Sequence, residues 1–138
     1  MGAWGVGIFE DDAAYDWVDK ILDSDEPEEI FESIFVYAVD TNYVEYDDCH
    51  GVTVSAAVID MLLNNTNYHL EEEDLTDWVN EKRASLKVKS IVPIAIKALK
   101  VIIGKKSELH ELWQENEAEY DFWKDKIERL ISRLSSVK

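Results

Sequence analysis

Apolar residues return at intervals of three and four along nearly the whole chain, and that period constrains the fold more than any other feature. Ala14, Trp17, Val18, Ile21 and Leu22 fall at i, i+3, i+4, i+7 and i+8, the stripe that one face of an α-helix buries. Asp11 or Asp12 precedes the stripe as an N-cap, because a short carboxylate accepts one of the orphan N–H groups of a first turn. Ser24-Asp25-Glu26-Pro27 ends this helix and opens a second. Pro27 suits its first position, Glu28 and Glu29 sit near the positive end of its dipole, and Ile30, Phe31, Ile34, Phe35 and Ala38 face inward. Residues 41–46 break the pattern. Asp47 or Asp48 then caps a third helix with Val54, Ala57, Val58, Met61 and Leu62 inward, and the asparagine-rich residues 64–67 stop it.

The second half follows the same rule. Residues 71–74 are an acidic run, and Asp74 with Asp77 resembles a capping box for a short helix holding Leu75, Trp78 and Val79. Ser90 and Pro93 start a fifth helix, apolar on nearly all sides through Ile103 and therefore expected at the centre. Gly104 ends it, helped by Lys105 and Lys106. Leu109, Leu112, Asn116, Tyr120, Trp123, Ile127, Leu130, Leu134 and Val137 then alternate threes and fours. One helix over 107–137 would be about 45 Å long, so a break is expected near 114–119. Residues 35–39 and 87–89 are β-prone but too short to make a sheet. The expected fold is all-α: a single-domain bundle of about six helices over residues 1–138, with residues 1–10 a Gly/aromatic loop packed on the core. The tryptophans Trp4, Trp17, Trp78, Trp113 and Trp123 read as core anchors, Trp also being a residue that anchors interfaces.

Charge is divided unevenly. Residues 1–77 carry 21 Asp and Glu against the single base Lys20, a net −20; residues 78–138 carry 9 acids and 13 bases, a net +4. Small domains stay soluble at a net charge of roughly 2–8 in magnitude, so the front half exceeds what solubility asks. Such a surface repels phosphates, which excludes direct nucleic-acid binding, and speeds encounter with a basic protein surface. Asp16, Asp19 and Asp23 are the expected partner contacts. The single cysteine, Cys49, makes no internal disulfide. The opening Met-Gly-Ala-Trp-Gly has no basic region or long apolar run, and Gly2 is followed at position 6 by Val instead of the Ser or Thr of a myristoylation site. The longest apolar stretch, residues 91–103, is interrupted by Lys97 and Lys100 and is too short to span a bilayer. A cytoplasmic protein with no membrane contact is expected.

The segment Met1-Gly-Ala-Trp-Gly-Val-Gly-Ile-Phe-Glu-Asp-Asp-Ala-Ala-Tyr-Asp-Trp17 resembles the start of the bacterial family called domain of unknown function 4259. Its pattern is a Gly-x-Trp-Gly-x-Gly loop, an aromatic, then Asp-x-Ala-x-Asp-Trp. Tyr46-Asp47-Asp48 before an Ala/Val-rich helix, residues 94–99 leading to Gly104, and Ser107-Glu-Leu-His-Glu-Leu-Trp113 are similar too. The chain departs from the family in its Lys-rich second half, its asparagines at 64–67, and Cys49-His50 where acidic or small residues are usual. The resemblance implies a bacterial origin and a single domain, with no activity attached.

Three constellations invite chemistry. Gly5 and Gly7 could present backbone N–H groups to an anion, yet no base follows until Lys20 and the acids Glu10, Asp11 and Asp12 oppose a phosphate. A tight backbone path with Trp4, Ile8 and Phe9 plugging the core is the competing reading. Asp11, Asp12 and Asp16 could hold Mg²⁺ or Ca²⁺, or act as an acid/base pair, since Asp12 and Asp16 share a helix face; a cap plus a solvated face is the plainer reading. Cys49 and His50 diverge by about 100° on a helix, and with His69 and His110 scattered they make no zinc set. No catalytic residue is assigned, and no cofactor beyond that divalent metal. The expected function is an acidic protein-binding or inhibitor module, of which small immunity proteins against nuclease-like toxins are an analogy. A metal-dependent or acid/base enzyme, or a homodimer built on the C-terminal stripe, are the alternatives.

Overall fold

In the computed structural model, which describes residues 5–70 and 73–137, Asp11 opens the first helix, its carboxylate accepting the Ala13 N–H at 2.8 Å. That helix, α1 (Asp12–Leu22), buries Ala14, Trp17, Val18 and Ile21. Pro27 starts α2 (Pro27–Asp40), which buries Phe31, Ile34, Phe35 and Ala38. Of the two regions the sequence marks as β-prone, residues 35–39 are helix, their inward apolar face outweighing local propensity, and residues 87–89 are irregular chain entering a 3₁₀ turn. A parallel bridge pairs Val44 with Ser107, and among the described residues no strand forms.

The third helix, α3 (Tyr46–Asn64), departs from expectation in two ways. It begins before Asp47, with Glu45 at the N-cap position and no side-chain cap; Tyr46 N–H instead donates to Glu108 Oε1 at 2.7 Å, a carboxylate borrowed from distant chain. It is also buried on every side from Cys49 to Leu62 and touches all six other α-helices. This helix, not the fifth, is the centre of the molecule. The sequence hides the fact because His50, Thr53, Ser55 and Asp60 interrupt the apolar run, and polar residues read as surface. Asn65 ends α3 in the left-handed region at φ 56°, the conformation asparagine tolerates best after glycine.

Next come α4 (Asp74–Lys82), a 3₁₀ turn (Lys89–Ile91), and α5 (Val92–Ile102). No capping box forms at Asp74; Glu73 precedes the helix without a side-chain bond. The fifth helix buries Val92, Ala95, Ala98, Leu99 and Ile102 but exposes Pro93, Lys97 and Lys100, so it packs with one face only, against α2, α3 and α7. The C-terminal segment divides as expected into α6 (Glu108–Gln114) and α7 (Tyr120–Ser135). Ser107 caps the former by accepting the His110 N–H at 3.2 Å. The latter buries Trp123, Ile127, Leu130 and Leu134 against α3 and α5. Trp17, Trp78, Trp113 and Trp123 are all buried, as expected of core anchors; Trp4 lies outside the described residues. The all-α reading therefore holds, with seven α-helices among the described residues.

Candidate functional site

The outer face of α1 is acidic from end to end. Asp12, Asp16, Asp19 and Asp23 fall at i, i+4, i+7 and i+11 and are all exposed, opposite the buried Ala14–Trp17–Val18–Ile21 stripe. Two of the helices that pack on α1 continue the charge: α2 exposes Glu29, Glu32 and Asp40, and α4 exposes Asp74, Asp77 and Glu81. The crowding leaves a titration signature. The hydrogen bond that a protonated Glu29 donates to the Glu26 carboxylate, and then the charge of Glu26, push the Glu29 carboxyl above the ordinary range, with Glu32 adding to the effect. Burial raises the Asp48 carboxyl, and the charges of Asp47 and Glu45 raise it further.

Between α1 and α2 lies an open groove of about 370 Å³, lined by Trp17, Lys20, Glu29, Ile30, Ser33 and Ile34. Its floor is apolar and its rim charged. Trp17 is fixed there: its indole N–H donates to the Asp47 carbonyl at 2.8 Å, and its ring packs closely against Gly51 of α3. A Cβ at Gly51 would meet that ring at 2.6 and 2.8 Å, so the close approach requires glycine. Lys20 Nζ sits 4.0 Å from the Trp17 ring centroid, in cation–π range. The next turn of α2 exposes Val36 and Tyr37.

The three carboxylates grouped by sequence separate. Asp12 and Asp16 are on the exposed face, whereas Asp11 is 2 % exposed. Tyr46 Oη donates a short hydrogen bond to Asp11 Oδ2, and His50 Nε2 stands 3.2 Å from the same oxygen. That approach has the distance of an ion pair without the direction of a hydrogen bond, and neither His50 ring nitrogen has a hydrogen-bond partner among the described residues. Burial works against the Asp11 charge, but the contacts of His50 and Tyr46 and the Ala13 N–H outweigh it and hold the carboxyl below the usual range. Asp11, His50 and Thr53 border a cavity of about 10 Å³ under Gly5, Val6, Gly7 and Ile8, closed on its far side by Leu109, Trp113, Trp123 and Ile127. Such a space holds about one water molecule. Among the described residues no three His, Cys, Asp or Glu side chains gather as metal ligands.

The glycine loop does receive an anion, and it is the chain's own. Gly7 N–H donates to Glu10 Oε1 at 3.1 Å, and a Cβ on Gly5 or Gly7 would collide with the Glu10 carboxylate. Ile8 and Phe9 plug the core as expected. The Cys49 thiol turns from His50 toward Val44 O and Ser107 Oγ, 3.4 Å from each, and burial pushes its pKa up. A thiol so protonated is a poor nucleophile.

Sequence reasoning missed His50 and Tyr46 as partners of Asp11, and missed Asp60. Asp60 is fully buried; it accepts from Tyr68 Oη at 2.7 Å, Asn64 Nδ2 at 2.7 Å and Arg133 Nε at 2.8 Å. One signal was available: Asp60 is the lone acid in the apolar run from Val52 to Leu63. The partners of Asp11 had none, being 35 and more residues away.

No helix among the described residues is long and apolar enough to cross a membrane. No curated protein and no solved structure matches the chain. The model of the family described as "Domain of unknown function (DUF4259)" matches residues 2–126, nearly the whole length, and the chain belongs to that family.

Proposed function

We propose that this chain is an acidic protein-binding module, an inhibitor of the immunity type in a bacterial cytoplasm, that docks a basic amphipathic protein segment across α1 and α2. The single observation that carries the reading is the exposed Asp12, Asp16, Asp19, Asp23 stripe beside the apolar Trp17–Ile30–Ile34 groove. Specific interfaces combine an apolar centre with a charged rim, and this face offers both. Like-charge crowding at Glu26–Glu29 supports it, because a cationic partner relieves that repulsion on binding. The fitting partner has Lys and Arg flanking one or two apolar anchors, as the cationic surfaces of nucleic-acid enzymes do.

The metal or acid/base alternative, built on Gly5, Gly7, Asp11, Asp12 and Asp16, has less support: Asp11 shares a one-water cavity while Asp12 and Asp16 face outward. The dimer alternative loses its seam, because the apolar stripe of α7 is packed on this chain's own α3 and α5. The test is affinity capture followed by titration of the recovered basic partner against the wild type and the triple reversal Asp16→Lys, Asp19→Lys, Asp23→Lys. The expected result is binding that weakens with salt and drops at least tenfold in the reversal. Recovery of no basic partner, or equal binding by the reversal, would sink the proposal.

A further inference from the structure

In a chain of net charge −16, one cleft gathers cations. It lies between residues 7–10, residues 66–69 and α7, has a volume of about 220 Å³, and draws Lys126, Arg129 and Arg133 from the helix. These three fall at i, i+3 and i+7, so one face of α7 presents them together. The rest of the lining is the apolar Ile8 and Phe9 on one side and residues 66–69 on another, with Glu10 the sole carboxylate among the described lining residues. Glu10 is turned to its own loop through the Gly7 N–H.

The cations are held ready to different degrees. Arg133 is braced from behind: its Nε donates to the buried Asp60 and its Nη2 to Tyr68 Oη at 3.0 Å, which fixes the guanidinium plane and leaves Nη1 without an acceptor among the described residues. Among the described residues Arg129 uses only Nε, on the exposed Asp125 at 2.7 Å, and keeps both terminal nitrogens. Lys126 makes no hydrogen bond or ion pair with the described residues. A fixed guanidinium offers a fork that matches oxyanions, and a preformed one loses little freedom on binding.

We propose that this cleft is a binding site for a small oxyanion-bearing molecule, its phosphoryl or carboxylate group held by Lys126, Arg129 and Arg133 and its body resting on Ile8 and Phe9. The site is separate from the acidic face, and Arg129 and Arg133 lie beyond the residues that the family match covers. Calorimetric titration with inorganic phosphate, and separately with succinate, at up to about 10 mM tests it on three proteins: the wild type, Lys126→Ala/Arg129→Ala, and Lys97→Ala/Lys100→Ala on the exposed face of α5. The expected result is one saturable site in the wild type and the α5 variant, weakened at least tenfold in the cleft variant. Its unfolding midpoint should stay near the wild type's, since the exposed Arg129–Asp125 pair adds little stability. Saturation by phosphate alone identifies a phosphoryl ligand, and by succinate alone a carboxylate. Saturation by neither, or equal binding by the cleft variant, would overturn the proposal.

Discussion

The central helix meets a buried carboxylate near each of its ends, and the two are neutralised by different means. Near its start, Asp11 is held by a tyrosine hydroxyl, a backbone N–H and an imidazole; near its end, Asp60 is held by a tyrosine hydroxyl, an amide and a guanidinium. Arginine stays charged at every working pH, whereas imidazole is a cation only when protonated. A permanent pair is a staple, tying α3 to the 64–68 segment and to α7. The Asp11 centre ties the glycine loop and α1 to α3 chiefly through neutral donors. The comparison shows how one fold neutralises two buried acids by unlike means, one with a permanent cation and the other chiefly with neutral donors.

The largest test removes the permanent acid. Asp60→Ala should cost about 3 kcal/mol in urea unfolding, since it strands Arg133 and Tyr68 without their acceptor. Arg133→Met, which leaves the acid buried without its cation, should cost about 2 kcal/mol, below the figure for a fully buried pair because Arg133 keeps an edge in water. Tyr46→Phe and Tyr68→Phe each delete one hydroxyl from a buried carboxylate and should cost about 1.5 kcal/mol. A silent Tyr46→Phe would mean that the imidazole and the backbone suffice for Asp11. His50→Phe should stay within about 1 kcal/mol at neutral pH, because it replaces ring nitrogens that lack hydrogen-bond partners by carbon. Equal losses for His50→Phe and Arg133→Met would erase the distinction.

The finest test is a slope. The folded Asp11 carboxyl titrates below its unfolded value of about 3.9. Its ionisation therefore contributes stability that is fully present above that value and is lost as pH falls through the folded pKa. Asp11→Asn should start less stable at neutral pH and lose less than the wild type on acidification below about pH 4. Parallel curves for the two proteins would show that Asp11 is not depressed.

Much of this architecture was legible. The stripe in α1, the proline start of α2, the asparagine stop of α3 and the break before Tyr120 are all local signals, and the structure keeps each. What failed was any inference in which a polar residue points inward. Asp47, Asp48 and Asp74 looked like caps, but they lie inside the first turns of helices that lack side-chain caps; Asp12 and Asp16 looked like companions of Asp11, but helical geometry turns them outward. The links that matter at the two buried acids join residues 35 and 73 positions apart, and a periodic pattern carries no information on such distances. The exposed α1 stripe and its groove were half legible: the aspartates were named, but the apolar floor needed the Trp17–Gly51 contact to appear.

The enclosure of α3 by all its neighbours has a kinetic corollary. With no face at the solvent, its amides can trade hydrogen for deuterium only when the surrounding helices part together, so the interior of this element should report the global opening free energy. Fraying of α1 or α4 alone would leave that slow clock running.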